Sequence, residues 1–183
     1  MSDKKYRTIV ADPPWPSPFG KLGASHRANP LAHYDTMTLE AIGALPVRSL
    51  AEDDAHLYLW VMNSNVPEGW WIAQAWGFRP LTMLTWCKTQ PGVGQWFRNN
   101  TEHVLFCTRG AVLPRKAIPT STWFVVKRGA HSAKPDSFYD LVESVSDGPY
   151  LEMFSRRNRF SWDTWGNECF EHVDLSGTEM DAA

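Results

Sequence analysis

The chain has 183 residues, of which 43% are hydrophobic and 21% charged, with a formal net charge of −2; that is enough for one well-buried globular core and short for two. No apolar run reaches the roughly 18 residues of a membrane span, and the start MSDKKYR has no apolar leader core, which predicts a soluble, cytoplasmic protein with no membrane partner. Cys87, Cys107 and Cys169 show neither CxxC spacing nor a paired histidine motif, so the reading is of reduced structural thiols and no metal.

The first expected element is a strand over residues 6–11, YRTIVA, and it runs directly into Asp12-Pro13-Pro14-Trp15. Prolines end a strand because they cannot donate to a ladder. In an open α/β sheet, ligands bind outside the carboxyl ends of strands, so a carboxylate at that point is well placed for chemistry. An exocyclic amine on a purine is a poor nucleophile, since its lone pair is delocalised into the ring. A carboxylate on Asp12 and a carbonyl held outward by rigid Pro13 and Pro14 can accept hydrogen bonds from such an amine. Those bonds strengthen as the nitrogen becomes tetrahedral, so they favour the transition state. Trp15 is expected to stack on the base.

Beyond this motif, residues 16–33 form a long Gly-, Pro- and Ser-rich segment, and residues 90–101 a second irregular one. Irregular segments of this length are often functional, and both are expected to act as lids or substrate clamps. Helices are expected over 38–44, 67–75 and 135–145, and further strands over 56–62, 81–87, 103–108, 122–126 and 150–154. The alternation predicts an α/β sandwich around a mainly parallel sheet. Trp60, Trp70, Trp71, Trp76, Trp86 and Trp123 are expected in the core and His103 as a structural histidine. The tail over 171–183 is acidic, ends in small residues, and is expected to be poorly ordered.

Charge is distributed unevenly along the chain. From residue 69 to 134 nine cations face one acid, Glu102, for a net +8 that leaves −10 elsewhere. This excess predicts a side that faces a polyanion, with Arg98, Arg109, Arg115, Lys116, Lys127 and Arg128 along the backbone of a nucleic acid.

ADPPW after a strand, followed in order by YDTMTLEAI, LYLWVMNS, AWGFRPLTMLTWCKT, GQWFRNNTEHVLFCTRG, HSAKPDSFYDLVE and LEMFSRRNRFSWDTWGNE, resembles the S-adenosylmethionine-dependent adenine-N6 methyltransferases of the MT-A70 type, whose eukaryotic members methylate adenosine in messenger RNA. The resemblance covers residues 6 to 168. It implies one Rossmann-like methyltransferase domain over 1–170 with permuted motif order, the catalytic strand first and the cofactor loop last. It also implies S-adenosylmethionine as cofactor, with Asp12 beside it, Lys134 on the methionine carboxylate, and Glu152, Phe154, Arg156, Asn158, Asn167 and Glu168 around the ribose and adenine. Tyr34 matches a position near the target base. The loop after Phe154, SRRNR, lacks the GxG of ordinary methyltransferases, as is normal in this family. The implied activity is methylation of an unstacked adenine in nucleic acid. DNA is favoured over RNA, because the chain lacks the RNA-binding appendages of the eukaryotic enzymes. A homodimer or partner subunit would then assist recognition. The alternative is a catalytically inactive, nucleic-acid-binding or scaffolding subunit of the same fold, against which the intact DPPW and Lys134 weigh.

Overall fold

Among the described residues, seven strands form one sheet in the order β5-β3-β4-β2-β1-β6-β7, where β1 is Tyr6–Ala11, β2 Ala51–Val61, β3 Arg79–Lys88, β4 Thr101–Arg109, β5 Trp123–Val126, β6 Tyr150–Met153 and β7 Trp162–Trp165. This is a computed structural model, and it describes residues 4–16, 36–90, 92, 96–111, 121–127, 134–166, 169 and 173. The pairings β1–β2, β1–β6, β6–β7 and β3–β5 are parallel, while β4 runs antiparallel to both β2 and β3. Six strands therefore end at one edge of the sheet, and only β4 begins there.

The two-residue period of a strand sends alternate side chains to opposite faces. Ile9 and Ala11 of β1 and Leu57, Leu59 and Val61 of β2 enter one core cluster, whereas Val10, Tyr58 and Trp60 enter the other. Three helices cover the first face: α1 (Leu39–Gly43), α2 (Val47–Leu50) and α3 (Val66–Ala75), which contribute Ile42, Val47, Leu50, Ile72 and Ala73. Thr38 caps α1 by accepting from the Ala41 N–H at 3.2 Å, and α3 opens with Pro67 in its first turn. Gly69 lets α3 lie directly on β2, since a Cβ there would sit 2.4 Å from Val61 Cγ1. The fourth helix, α4 (Asp136–Val145), covers the other face with Phe138, Tyr139 and Val142.

The expected α/β sandwich is observed with additions that the sequence pattern did not show. Strand β7 and helix α2 are each four residues long, and β2 begins at Ala51, so it takes in the acidic pair Asp53-Asp54. The expected core tryptophans divide in two. Trp60, Trp76 and Trp86 are buried, but Trp70, Trp71 and Trp123 are 42%, 50% and 57% exposed, because α3 and β5 leave their outer sides uncovered. His103 shares a 3.0 Å hydrogen bond with Thr85 Oγ1, as a structural histidine does. No helix among the described residues is long and apolar enough to cross a membrane.

Candidate active site

Asp12 follows the last residue of β1 at the carboxyl edge of the sheet, where the chain turns sharply: the Trp15 N–H donates to Pro13 O at 2.9 Å, and the Met37 N–H donates to Pro14 O at 2.9 Å. Both proline carbonyls thus already hold a backbone donor, and Pro13 is buried. The Asp12 side chain remains 39% exposed, with Oδ2 at 3.2 Å from Lys134 Nζ.

Lys134, two residues before α4, is only 9% exposed and also contacts Glu152 Oε1 at 3.3 Å. Burial pulls the lysine pKa down, but the charges of Asp12 and Glu152 outweigh it and leave the pKa above the ordinary lysine value. Both carboxylates take up the Lys134 ammonium, which carries three N–H donors.

Glu152 lies in β6 beside β1, its partner across the ladder being Val10. Expected near a ribose, it is instead 2% exposed and engaged inside the protein: it accepts from Tyr139 Oη at 2.6 Å and Lys134 Nζ at Oε1, and from Ser155 Oγ at 3.1 Å at Oε2. Its role in this geometry is to hold Lys134 in place. Burial and the adjacent Glu152 charge push the Tyr139 phenol pKa well up, so Tyr139 stays a neutral donor.

The tips of β6 and β7 are joined closely. The Ser155 N–H donates to Trp165 O at 3.0 Å, and a Cβ on Gly166 would lie 2.1 Å from Ser155 O, so only glycine permits this approach. Phe154 adopts φ 61°, a left-handed conformation that costs a non-glycine residue energy and is sustained by its ring packing on Trp165 at 5.0 Å. Asn158 donates to Thr164 Oγ1 at 3.0 Å, and Arg156 is exposed on the same loop.

Four residues of this region were absent from the sequence reading: Tyr139, Ser155, Arg157 and Arg159. Arg159 pairs with Asp136 (3.2 Å), Asp140 (3.4 Å) and Glu143 (3.5 Å), and Arg157 also bonds Asp136. Both guanidinium groups lie over the Tyr139 ring, at 5.8 and 4.6 Å from its centroid. The sequence signal was present: acids at 136, 140 and 143 follow the i, i+4, i+7 spacing of one helix face, and the basic run SRRNR comes shortly after.

Two expected substrate residues are placed elsewhere. Trp15 is 4% exposed within the first core cluster, and its indole N–H donates to Trp60 O at 2.9 Å. The ring is an anchor for the turn that carries Asp12, in place of a stacking surface. Arg109 ends the antiparallel β4 opposite Ala55, near the start of β2, and Nη1 donates to Arg48 O. It therefore lies about 15 Å along the strands from the edge that carries Asp12. A linear run of cations is split between the two edges because β4 runs back down the sheet. Lys88 is also taken up, by Glu102. Arg98 and Lys127 are exposed, one just before β4 and the other just after β5, both at the carboxyl edge. Tyr34, Arg115, Lys116, Arg128, Asn167 and Glu168, residues 17–33 of the first expected lid, and residues 91 and 93–95 of the second lie outside the described residues.

Comparison with known proteins bears on this arrangement. The MT-A70 family profile matches residues 6–168. The chain is 28% identical to the type II methyltransferase M.MunI of Mycoplasma sp. over 90% of its own length and 78% of that protein's. It is 29% identical to the N(6)-adenosine-methyltransferase MT-A70-like protein of Drosophila melanogaster and 27% identical to the human N(6)-adenosine-methyltransferase catalytic subunit METTL3, in each case over 90% of its own length. It spans only 27% and 28% of those two relatives. With a carboxyl-edge aspartate held by a buried lysine on a Rossmann-like sheet, and a profile match over nearly its whole length, the chain belongs to the MT-A70 family.

Proposed function

We propose that this protein transfers the methyl group of S-adenosylmethionine to the exocyclic N6 amine of adenine in a nucleic acid, with DNA favoured over RNA. The observation that carries the reading is the Asp12–Lys134–Glu152 cluster: a half-exposed carboxylate at the end of the first strand, held by a buried ammonium that a second, fully engaged carboxylate positions. The preference for DNA is supported by coverage, since the type II methyltransferase is matched over most of its length and the N(6)-adenosine enzymes over about a quarter of theirs.

The residues present fit the cofactor. S-adenosylmethionine carries sulfonium and ammonium charges beside one carboxylate; the half-exposed Asp12 carboxylate suits the cations and the Lys134 ammonium suits the carboxylate. Lys134 would hold the cofactor carboxylate, and Asp12 would face the cationic end. When bound, the cofactor supplies an electrophilic methyl group. Asp12 accepts an N–H of the adenine amine, draws its lone pair out of ring conjugation, and binds more strongly as that nitrogen becomes tetrahedral. The resulting ammonium sheds its proton readily, so Asp12 need not act as a strong base. Only an unstacked adenine exposes its Watson–Crick edge to such a group.

The test is to incubate the protein with S-adenosylmethionine and either DNA or RNA, then analyse the digested nucleosides by mass spectrometry. N6-methylated adenine is expected, more in DNA than in RNA, and none with Asp12→Ala. Failure of both polymers to acquire the mark, together with no calorimetric binding of the cofactor, would overturn the assignment; a larger yield in RNA would reverse the polymer preference alone.

A further inference from the structure

Trp96 and Phe97 are 89% and 87% exposed, and the three residues that follow them, Arg98, Asn99 and Asn100, are exposed and polar. Water-facing rings of this size carry a cost that a protein normally avoids by burial. Yet the foot of the segment is firmly placed. The Lys88 N–H donates to Asn100 O at 2.7 Å and the Gly92 N–H to Asn99 O at 2.9 Å, while Asn63 Nδ2 donates to Thr101 Oγ1 at 3.2 Å and to Asn99 Oδ1 at 3.5 Å. Asn63 opens the short turn just beyond the end of β2, the strand next to β1, so these bonds fix the rings to the edge that bears Asp12.

We propose that Trp96 and Phe97 form a stacking platform for unpaired nucleotides next to the target adenine, with Arg98 gripping the adjoining phosphate. The inference rests on the methyltransferase reading above and names how its polymer is held. An apolar protein-docking surface would be a contiguous patch; here the two rings are followed directly by three exposed polar residues. They also lie in the part of the chain with a net charge of +8. Aromatic faces beside a guanidinium match the chemistry of single-stranded nucleic acid, where every base offers a π-face and every linkage a negative charge.

The experiment uses fluorescein-labelled single-stranded 20-mers, in DNA and RNA, with one central adenine, read by anisotropy across a salt series. Trp96→Ala with Phe97→Ala should weaken binding at least about tenfold while leaving the log–log salt slope unchanged, because stacking releases no counterions. Arg98→Ala should instead flatten the slope by about 0.7. The exchange Trp96→Phe with Phe97→Trp should retain near wild-type affinity. Abasic sites flanking the adenine should weaken wild-type binding and have little further effect on the double alanine variant. Calorimetry should show unchanged S-adenosylmethionine affinity throughout. A double alanine variant that binds and methylates like wild type overturns the platform and leaves the enzyme reading standing. Normal nucleic-acid affinity with an altered sedimentation coefficient assigns the rings to a protein interface and equally overturns it. A wild-type protein that neither binds nor methylates any 20-mer brings down the enzyme reading itself.

Discussion

Both edges of the sheet bury polar groups, but they do so in different ways. At the carboxyl edge, three ionisable side chains of opposite sign, Asp12, Lys134 and Glu152, meet at 3.2 and 3.3 Å. Toward the amino edge, Ser146 Oγ joins His56 Nδ1 and Tyr58 Oη, both at 2.7 Å, and all three residues are buried. Burial lowers the His56 pKa, against the opposing charge of Asp147, and raises that of Tyr58, so this network is neutral near pH 7. The neutral network is wholly buried, whereas the charged one presents the half-exposed Asp12 carboxylate at the edge of the sheet.

Four substitutions sharpen or break that contrast. Trp15 adjoins the charged edge in sequence but belongs to the core, so Trp15→Ala should cost about 3–5 kcal/mol in urea denaturation. Unchanged stability with a selective loss of nucleic-acid affinity would return the ring to the substrate side. Asp12→Ala should do the reverse, lowering the methylation rate by about 10²–10³ while thermal unfolding stays near wild type, because a half-exposed carboxylate contributes to the transition state more than to the fold.

Tyr139→Phe tests the link between the two roles. Removing a hydrogen bond to a buried carboxylate should cost about 1.5–3 kcal/mol, and it should also weaken cofactor binding through the loosened Lys134. Lost stability with unaltered cofactor affinity would confine Tyr139 to the core. The smallest effect is expected at His56. Its folded pKa lies below the ordinary 6.5, so between those two values the unfolded chain binds more protons, and stability should decline as pH falls below about 6.5. His56→Gln should flatten that decline in thermal melts at about pH 7.5 and 5.5; an identical decline would place the sensitivity elsewhere, with His103, whose pKa burial also lowers, the next to test.

Much of this architecture was legible because periodicity and punctuation are local. The first strand, its stop at Asp12, the heart of the sheet and three helices follow from β-branched runs, prolines and caps. Strand β7 was missed because WDTW is short and follows a polar loop, so that only pairing with β6 makes it a strand. The acids of β2 precede the strand expected over 56–62, and they lie in its irregular stretch between the β1 pairs Ala51–Tyr6 and His56–Thr8. The sequence singled out Asp12 and Lys134, which the structure brings together at 3.2 Å, but it read less well where strand direction decides. Arg109 went astray because nothing in the run of cations reveals that β4 is reversed, and Trp15 because a tryptophan beside a strand-end aspartate invites a ligand as readily as it fills a core.

The reversal of β4 has a further consequence for how recognition can change. The β3–β4 connection is the one among the described strands that leaves and re-enters the sheet at the carboxyl edge between antiparallel neighbours. Lengthening it disturbs no crossover helix and costs only loop closure, about 0.6 kcal/mol for each doubling. The sheet thus behaves as a chassis with an exchangeable fitting: under the proposed function, a segment between Lys88 and Thr101 grafted from a relative should alter which bases are bound and leave the Asp12 turn unchanged.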